Sequence, residues 1–116
     1  MTAQGSSRAI FHRAIERGNL AVAETTLRAE IPRPTLVDLL ELTALIALKE
    51  PQRHPRVSAR WLQHWLEAHQ FPTIYDVAFA ASALEAPGGR HHAYALSALR
   101  AMAEEATRRP TSRGVA

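Results

Sequence analysis

The sequence has no cysteine. That excludes disulfides, thiolate metal sites and a cysteine nucleophile, and it accords with a reducing cytosol. Lysine is nearly missing as well: of the fourteen Lys and Arg residues only Lys49 is lysine. No apolar run reaches the ~18 residues needed to span a bilayer. The opening Met-Thr-Ala-Gln-Gly-Ser-Ser lacks the basic start and apolar core of a secretory signal. A soluble cytoplasmic protein with no membrane partner is expected. No segment alternates polar and apolar residues as a half-buried strand does.

The motifs of common chemistries are missing too. There is no Gly-rich phosphate loop, no Gly-x-Ser-x-Gly elbow and no His-Glu-x-x-His. Gly88-Gly89 follows no strand and reads as a helix breaker. His64 and His69 are five apart and His91-His92 are adjacent, so each pair sends its rings to different helical faces and suits no shared metal. Asp38, His54 and Ser58 can be written as a triad only by selecting them from the whole chain. The expectation is a non-enzymatic protein without metal or cofactor; an enzyme with a small-molecule pocket between helices is the least favoured reading.

What is present describes a helical domain. At 116 residues and 47% hydrophobic content, the chain can bury roughly two-thirds of its unfolded surface as one domain. We place that domain at residues 8–108, between a disordered N-terminus (1–7) and a disordered basic tail (109–116). Ser6 or Ser7 can cap a first helix with an apolar face of Ile10, Phe11, Ala14 and Ile15. Gly18 suits the left-handed position that ends it, and Asn19 suits the cap of a second helix from Leu20 to about Ala29. Pro32 and Pro34 stop that helix. Thr35, with Asp38 three residues on, has the spacing of a capping box for a third helix reaching about Lys49. A fourth helix, with Pro55 in its first turn, carries the stripe Trp61, Leu62, Trp65 and Leu66. Thr73 and Asp76 repeat the capping box for a fifth helix, which Ala86-Pro87-Gly88-Gly89 ends. A sixth runs from about His91 to Arg108, with Ala95, Leu99, Met102 and Ala106 inward.

Pro34-Thr35-Leu36-x-Asp38-Leu39 matches Pro72-Thr73-Ile74-x-Asp76-Val77, 38 residues later. Consecutive helical hairpins of this period are what stacked repeats give, each burying its apolar face on a neighbour. The predicted fold is all-α: about six helices as three αα-hairpins in a short right-handed, repeat-like array. On a helical wheel Asp38, Glu41 and Lys49 mark the polar side of the third helix, and Leu45 lies in the middle of that side. Either a central position covers the helix all round, or Leu45 is an apolar spot for a partner. On the fifth helix Ala80 and Ala83 fall on the nominal outer side, where small residues permit close helix contact.

In a hairpin array the turns within hairpins share an edge, and here they are basic: Arg17-Gly-Asn19, then Arg53, His54, Arg56 and Arg60, then Arg90, His91 and His92. Cations at helix C-termini are ordinary, but Arg56, Arg60 and Arg90 sit near N-termini, where the helix dipole disfavours them. The edge therefore reads either as solvated surface or as a site for an anionic partner. Arginine suits such partners, although arginine-rich usage also accords with a GC-rich genome. A net charge of +3 is by itself too small to argue for nucleic acid, and no aromatics interleave there to stack on bases.

Ala14-Ile-Glu-Arg-Gly-Asn-Leu-Ala, the Leu-rich third helix, and Arg60-Trp61 followed by Glu67 resemble a group of small, all-helical actinobacterial proteins over about residues 9 to 105. The resemblance implies a fold but no activity, because the matching residues are core and capping positions. The function expected is a non-enzymatic helical protein–protein interaction module. The alternative is a nucleic-acid-associated accessory protein using the basic edge on phosphates. The candidate interaction residues are Leu45, Arg53, His54, Arg56, Arg60, Arg90, His91 and His92.

Overall fold

Residues 6–69, 72–85 and 92–108 are described by the computed structural model. They form six α-helices: α1 Ser6–Arg17, α2 Leu20–Glu30, α3 Leu36–Lys49, α4 His54–Ala68, α5 Ile74–Leu84 and α6 His92–Arg108. A single 3₁₀ turn, Pro51–Arg53, leads directly into α4. Arg90 and His91, the His92 side chain, and the two expected disordered ends over 1–5 and 109–116 lie outside the described residues.

The local rules act where the sequence placed them. Gly18 has a positive φ of 71°, and the Asn19 side chain accepts from the Val22 amide at 3.2 Å. Both capping boxes form: Thr35 Oγ1 accepts from the Asp38 amide while Asp38 Oδ2 accepts from the Thr35 amide, each at 3.0 Å. Thr73 and Asp76 do the same at 3.0 and 3.2 Å. The first helix starts at Ser6, ahead of the expected domain boundary at residue 8. Its first turn has tertiary partners, since Ser7 Oγ donates to Glu30 at 3.2 Å and Arg8 pairs with Asp38.

Consecutive helices pair as three αα-hairpins, α1–α2, α3–α4 and α5–α6. Helix α3 is the hub, touching α1, α2, α4 and α6. The second and third hairpins close on each other, with α6 against α3 and α5 against α4. Their shared core holds Leu36, Leu40, Trp61, Trp65, Ala80, Leu84, Leu99 and Ala103. The two tryptophans are buried, and each indole N–H donates to a backbone carbonyl: Trp61 to Leu36 at 3.0 Å and Trp65 to Met102 at 3.4 Å. Buried indoles need such acceptors, and here they bind α4 to both α3 and α6.

A second cluster, Phe11, Ala14, Ala23, Leu27, Ile31 and Leu45, holds the first hairpin on α3. Helix α1 runs along the polar side of α3 in the same direction and answers it group by group. Arg8 pairs with Asp38, His12 Nδ1 lies 3.6 Å from Glu41, and Arg100 Nη2 of α6 forms an ion pair with Glu41 at 3.0 Å. Phe11 and Ala14 cluster with Leu45 one turn beyond these polar pairs. Leu45 is therefore 6% exposed and is removed from the candidate interaction residues. The helix it lies on is covered on the side that a wheel alone assigns to water.

Helix α5 shows the reverse. Ala80 is fully buried, Ala83 is half-buried, and Ile74, Tyr75 and Phe79 are exposed. The small side chains lie at close helix contact, as their size allows, but that contact is the inner face. On α6, Ala103 is buried where Met102 was expected, and Met102 packs partly buried beside it. No helix among the described residues is long and apolar enough to cross a membrane.

Candidate docking groove

Helices α2 and α4 both lean on α3, yet they make no backbone contact with each other. The gap between them is an open groove of about 890 Å³. Its floor is apolar, built from Leu39, Leu42 and Ile46 of α3, Leu27 of α2 with Ile31 just after it, and Val57 and Trp61 of α4. Pro32 and Pro34 wall one end. The prolines that stop α2 thus also shape the groove, because they turn the chain onto α3 without adding a helical turn.

The rim is cationic, with Arg28, Arg53, Arg56 and Arg60 against one carboxylate, Glu24, and with His64 beyond them. Arg53 does not act as a free cation. Its guanidinium grips Glu24 with two bonds, Nη2–Oε2 at 2.7 Å and Nη1–Oε1 at 3.2 Å, and also donates to Glu50 at 2.9 Å. Bidentate pairs of this kind are among the stronger charge-assisted contacts. Arg28 adds a further bond to Glu24 at 3.1 Å. The hydrogen bonds from Arg53 hold the Glu24 carboxyl below the usual glutamate range, against an opposing push from burial. The same carboxylates hold the Arg53 guanidinium above its ordinary value. Arg53 is thus a clamp across the mouth of the groove, and its place in the expected basic edge is corrected accordingly.

His54 is likewise engaged. Its Nε2 lies 2.7 Å from the Leu84 carbonyl oxygen, where a ring N–H donates to the end of α5. Gly18 of the first intra-hairpin turn lies against the Lys49 side chain at the end of α3. Arg56 and Arg60 differ from both. They are exposed and make no ion pair among the described residues, and Arg56 occupies the first turn of α4, where the dipole works against it. With His64 they stand at i, i+4 and i+8, which puts all three on one line along the groove. The line spans about 12 Å at 1.5 Å per residue.

Sequence reasoning singled out Arg56 and Arg60 but missed Arg28 and the groove floor, and it weighed His64 only as a metal ligand. The i, i+4, i+8 spacing on α4 was readable in the chain. The juxtaposition with α2 was not, since it depends on two helices sharing one face of a third. Among the described residues no three His, Asp or Glu side chains gather into a cluster that could hold a metal ion. Comparison of the chain with protein-family models, with curated proteins and with solved structures finds no match.

Proposed function

We propose that this chain is a non-catalytic, cytoplasmic docking module that holds a short acidic, amphipathic helix of another protein in the groove between α2 and α4. The observation that carries this reading is the pair Arg56 and Arg60, one helical turn apart, exposed and without carboxylate partners beside an apolar floor. Helix-in-groove recognition reads apolar anchors at i, i+3 or i+4, and i+7. A floor of Leu39, Leu42, Ile46 and Val57 offers places for two such anchors over the ~12 Å that two helical turns span. Carboxylates at i and i+4 on the incoming helix match the arginine spacing, and a sequestered guanidinium–carboxylate pair gains strength from partial desolvation.

Fluorescence anisotropy with a labelled Leu/Glu amphipathic peptide, and with its Leu/Lys counterpart, tests the reading. Binding of the Glu peptide alone is expected, together with its loss in the double variant Arg56→Glu, Arg60→Glu. Equal binding of both peptides, or binding indifferent to the double substitution, sinks it. The phosphate alternative has its own outcome: a short DNA or RNA duplex that binds at low salt, with the steep salt dependence of counterion release, and loses binding in the same variant.

A further inference from the structure

The two ends of the hairpin array are finished differently. At the first end, the outward side of α1 carries Arg13, Glu16 and Arg17, the polar outer face that a terminal repeat needs. At the other end, α5 turns outward Ile74, Tyr75, Ala78, Phe79, Ala81 and Ser82, with no charge among them. Ile74 is 78%, Tyr75 83% and Phe79 52% exposed. The internal repeat makes this meaningful. Ile74 is the counterpart of Leu36 and Ala78 that of Leu40, and both residues are buried in α3. Helix α5 leaves bare the face that α3 buries.

We propose that this face pairs with the same face of a second copy of the chain, α5 against α5 in antiparallel orientation about Ala78. Three properties of the helix select a second copy as the occupant. The face is uncharged from Ile74 to Ser82, and the exposed Glu85 that follows stands about 10 Å along the helix from Ala78, so an antiparallel two-fold keeps the two copies of Glu85 about 20 Å apart and free of close like-charge repulsion. Its side chains are graded, large at the N-terminal end (Ile74, Tyr75) and small at the C-terminal end (Ala81, Ser82). An antiparallel two-fold sets the large end of each copy on the small end of the other, and Ala78 at the axis permits close approach. Finally, aromatic side chains bury ~150–250 Å² each, so Ile74, Tyr75 and Phe79 supply on the order of 500 Å² per copy. The total of about 1,000 Å² meets the lower bound of a specific interface. None of these residues lines the groove between α2 and α4, so the pairing stands apart from the docking reading.

Analytical ultracentrifugation of the full chain from about 1 μM to about 1 mM is expected to show the 12.8 kDa chain passing reversibly to twice that mass. Tyr75→Asp with Phe79→Asp should weaken the association at least a hundredfold, roughly the loss of two hot-spot aromatics, with unchanged helicity because both residues are exposed. The chain has no native cysteine, so single cysteines report the register. Ala78→Cys, at the axis, should form an interchain disulfide on mild oxidation. Ala81→Cys should not, since antiparallel pairing displaces the two copies of residue 81 by about 9 Å along the helix. A monomer at every concentration overturns the proposal, as does a dimer indifferent to the aspartates, or one that crosslinks at residue 81 and not at residue 78.

Discussion

Replacing Leu45 by alanine tests the placement of the first hairpin on α3. Leu45 is 6% exposed and joins Phe11, Ala14, Ala23, Leu27 and Ile31 in the smaller of the two core clusters. Leu→Ala changes in cores cost 2.7–5.0 kcal/mol, with the larger values where the cavity stays open. Here the surrounding side chains come from α1 and α2, which are held on α3 by this cluster and a few polar pairs and so can close in somewhat. A value of about 3 kcal/mol follows. In urea that is a midpoint shift of about 2 M for a slope near 1.5 kcal/mol/M. Both tryptophans sit in the other cluster, so indole fluorescence reports on α3–α6 while far-UV circular dichroism reports on every helix. Coincident transitions mean that the hairpin unfolds with the rest; a helicity loss that precedes the fluorescence change means that it leaves first. Leu45→Glu should detach or unfold it outright, because it buries a carboxylate among Phe11, Ala14 and Leu27. A Leu45→Ala cost below about 0.5 kcal/mol, the size of an ordinary surface change, would refute the packing described here.

The clamp on Glu24 makes a pH prediction. Its folded carboxyl is held below the usual range, so on acidification the unfolded chain takes up the proton first and stability falls with pH. The clamp's contribution is fully present above the ordinary glutamate range and is lost as pH falls through the lowered folded value. Glu24→Gln should therefore be less stable at neutral pH and show a flatter stability profile in acid, measured by urea titration at several pH values; parallel profiles would argue against it. The two capping boxes should differ in cost. Thr35→Ala loosens a box whose Asp38 is buried and also holds Arg8, whereas the Thr73 box is exposed. We expect about 1–2 kcal/mol for Thr35→Ala against about 0.5–1 for Thr73→Ala in chemical denaturation, and a reversed order would contradict the assignment of burial.

Much of the fold was legible from one dimension because its rules are local. Gly18, Asn19, the two Thr-x-x-Asp boxes and the prolines act within a few residues of themselves, so the helix limits and the hairpin order could be read along the chain. The tryptophan stripe of α4 was legible for a related reason: large apolar residues at helical spacing need a core, whatever supplies it. The candidate site was legible only in part. Arg56 carried a visible sign in its unfavourable place in the first turn of α4, and Arg60 in its spacing one turn on, whereas Arg53 and His54 share their composition and neighbourhood but are engaged by Glu24, Glu50 and the Leu84 carbonyl.

Which polar groups meet across helices is a property of packing, and a wheel drawn on one helix has no access to it. Asp38, Glu41 and Leu45 define a face that one-dimensional reasoning gives to water. The tertiary structure gives it to α1, because Arg8 and His12 lie at the spacing that answers the two carboxylates while Phe11 packs with the leucine one turn beyond them. On α5 the decision went the other way, since with α4 and α6 as its neighbours among the described residues the helix buries Ala80 and Leu84 and leaves Ile74, Tyr75 and Phe79 bare. The sequence by itself determined the succession of helices and, at Asn19, Thr35 and Thr73, where three of them begin. Only the tertiary structure decided which faces of α3 and α5 are inside, because burial there is settled by what a neighbour can match in charge and volume.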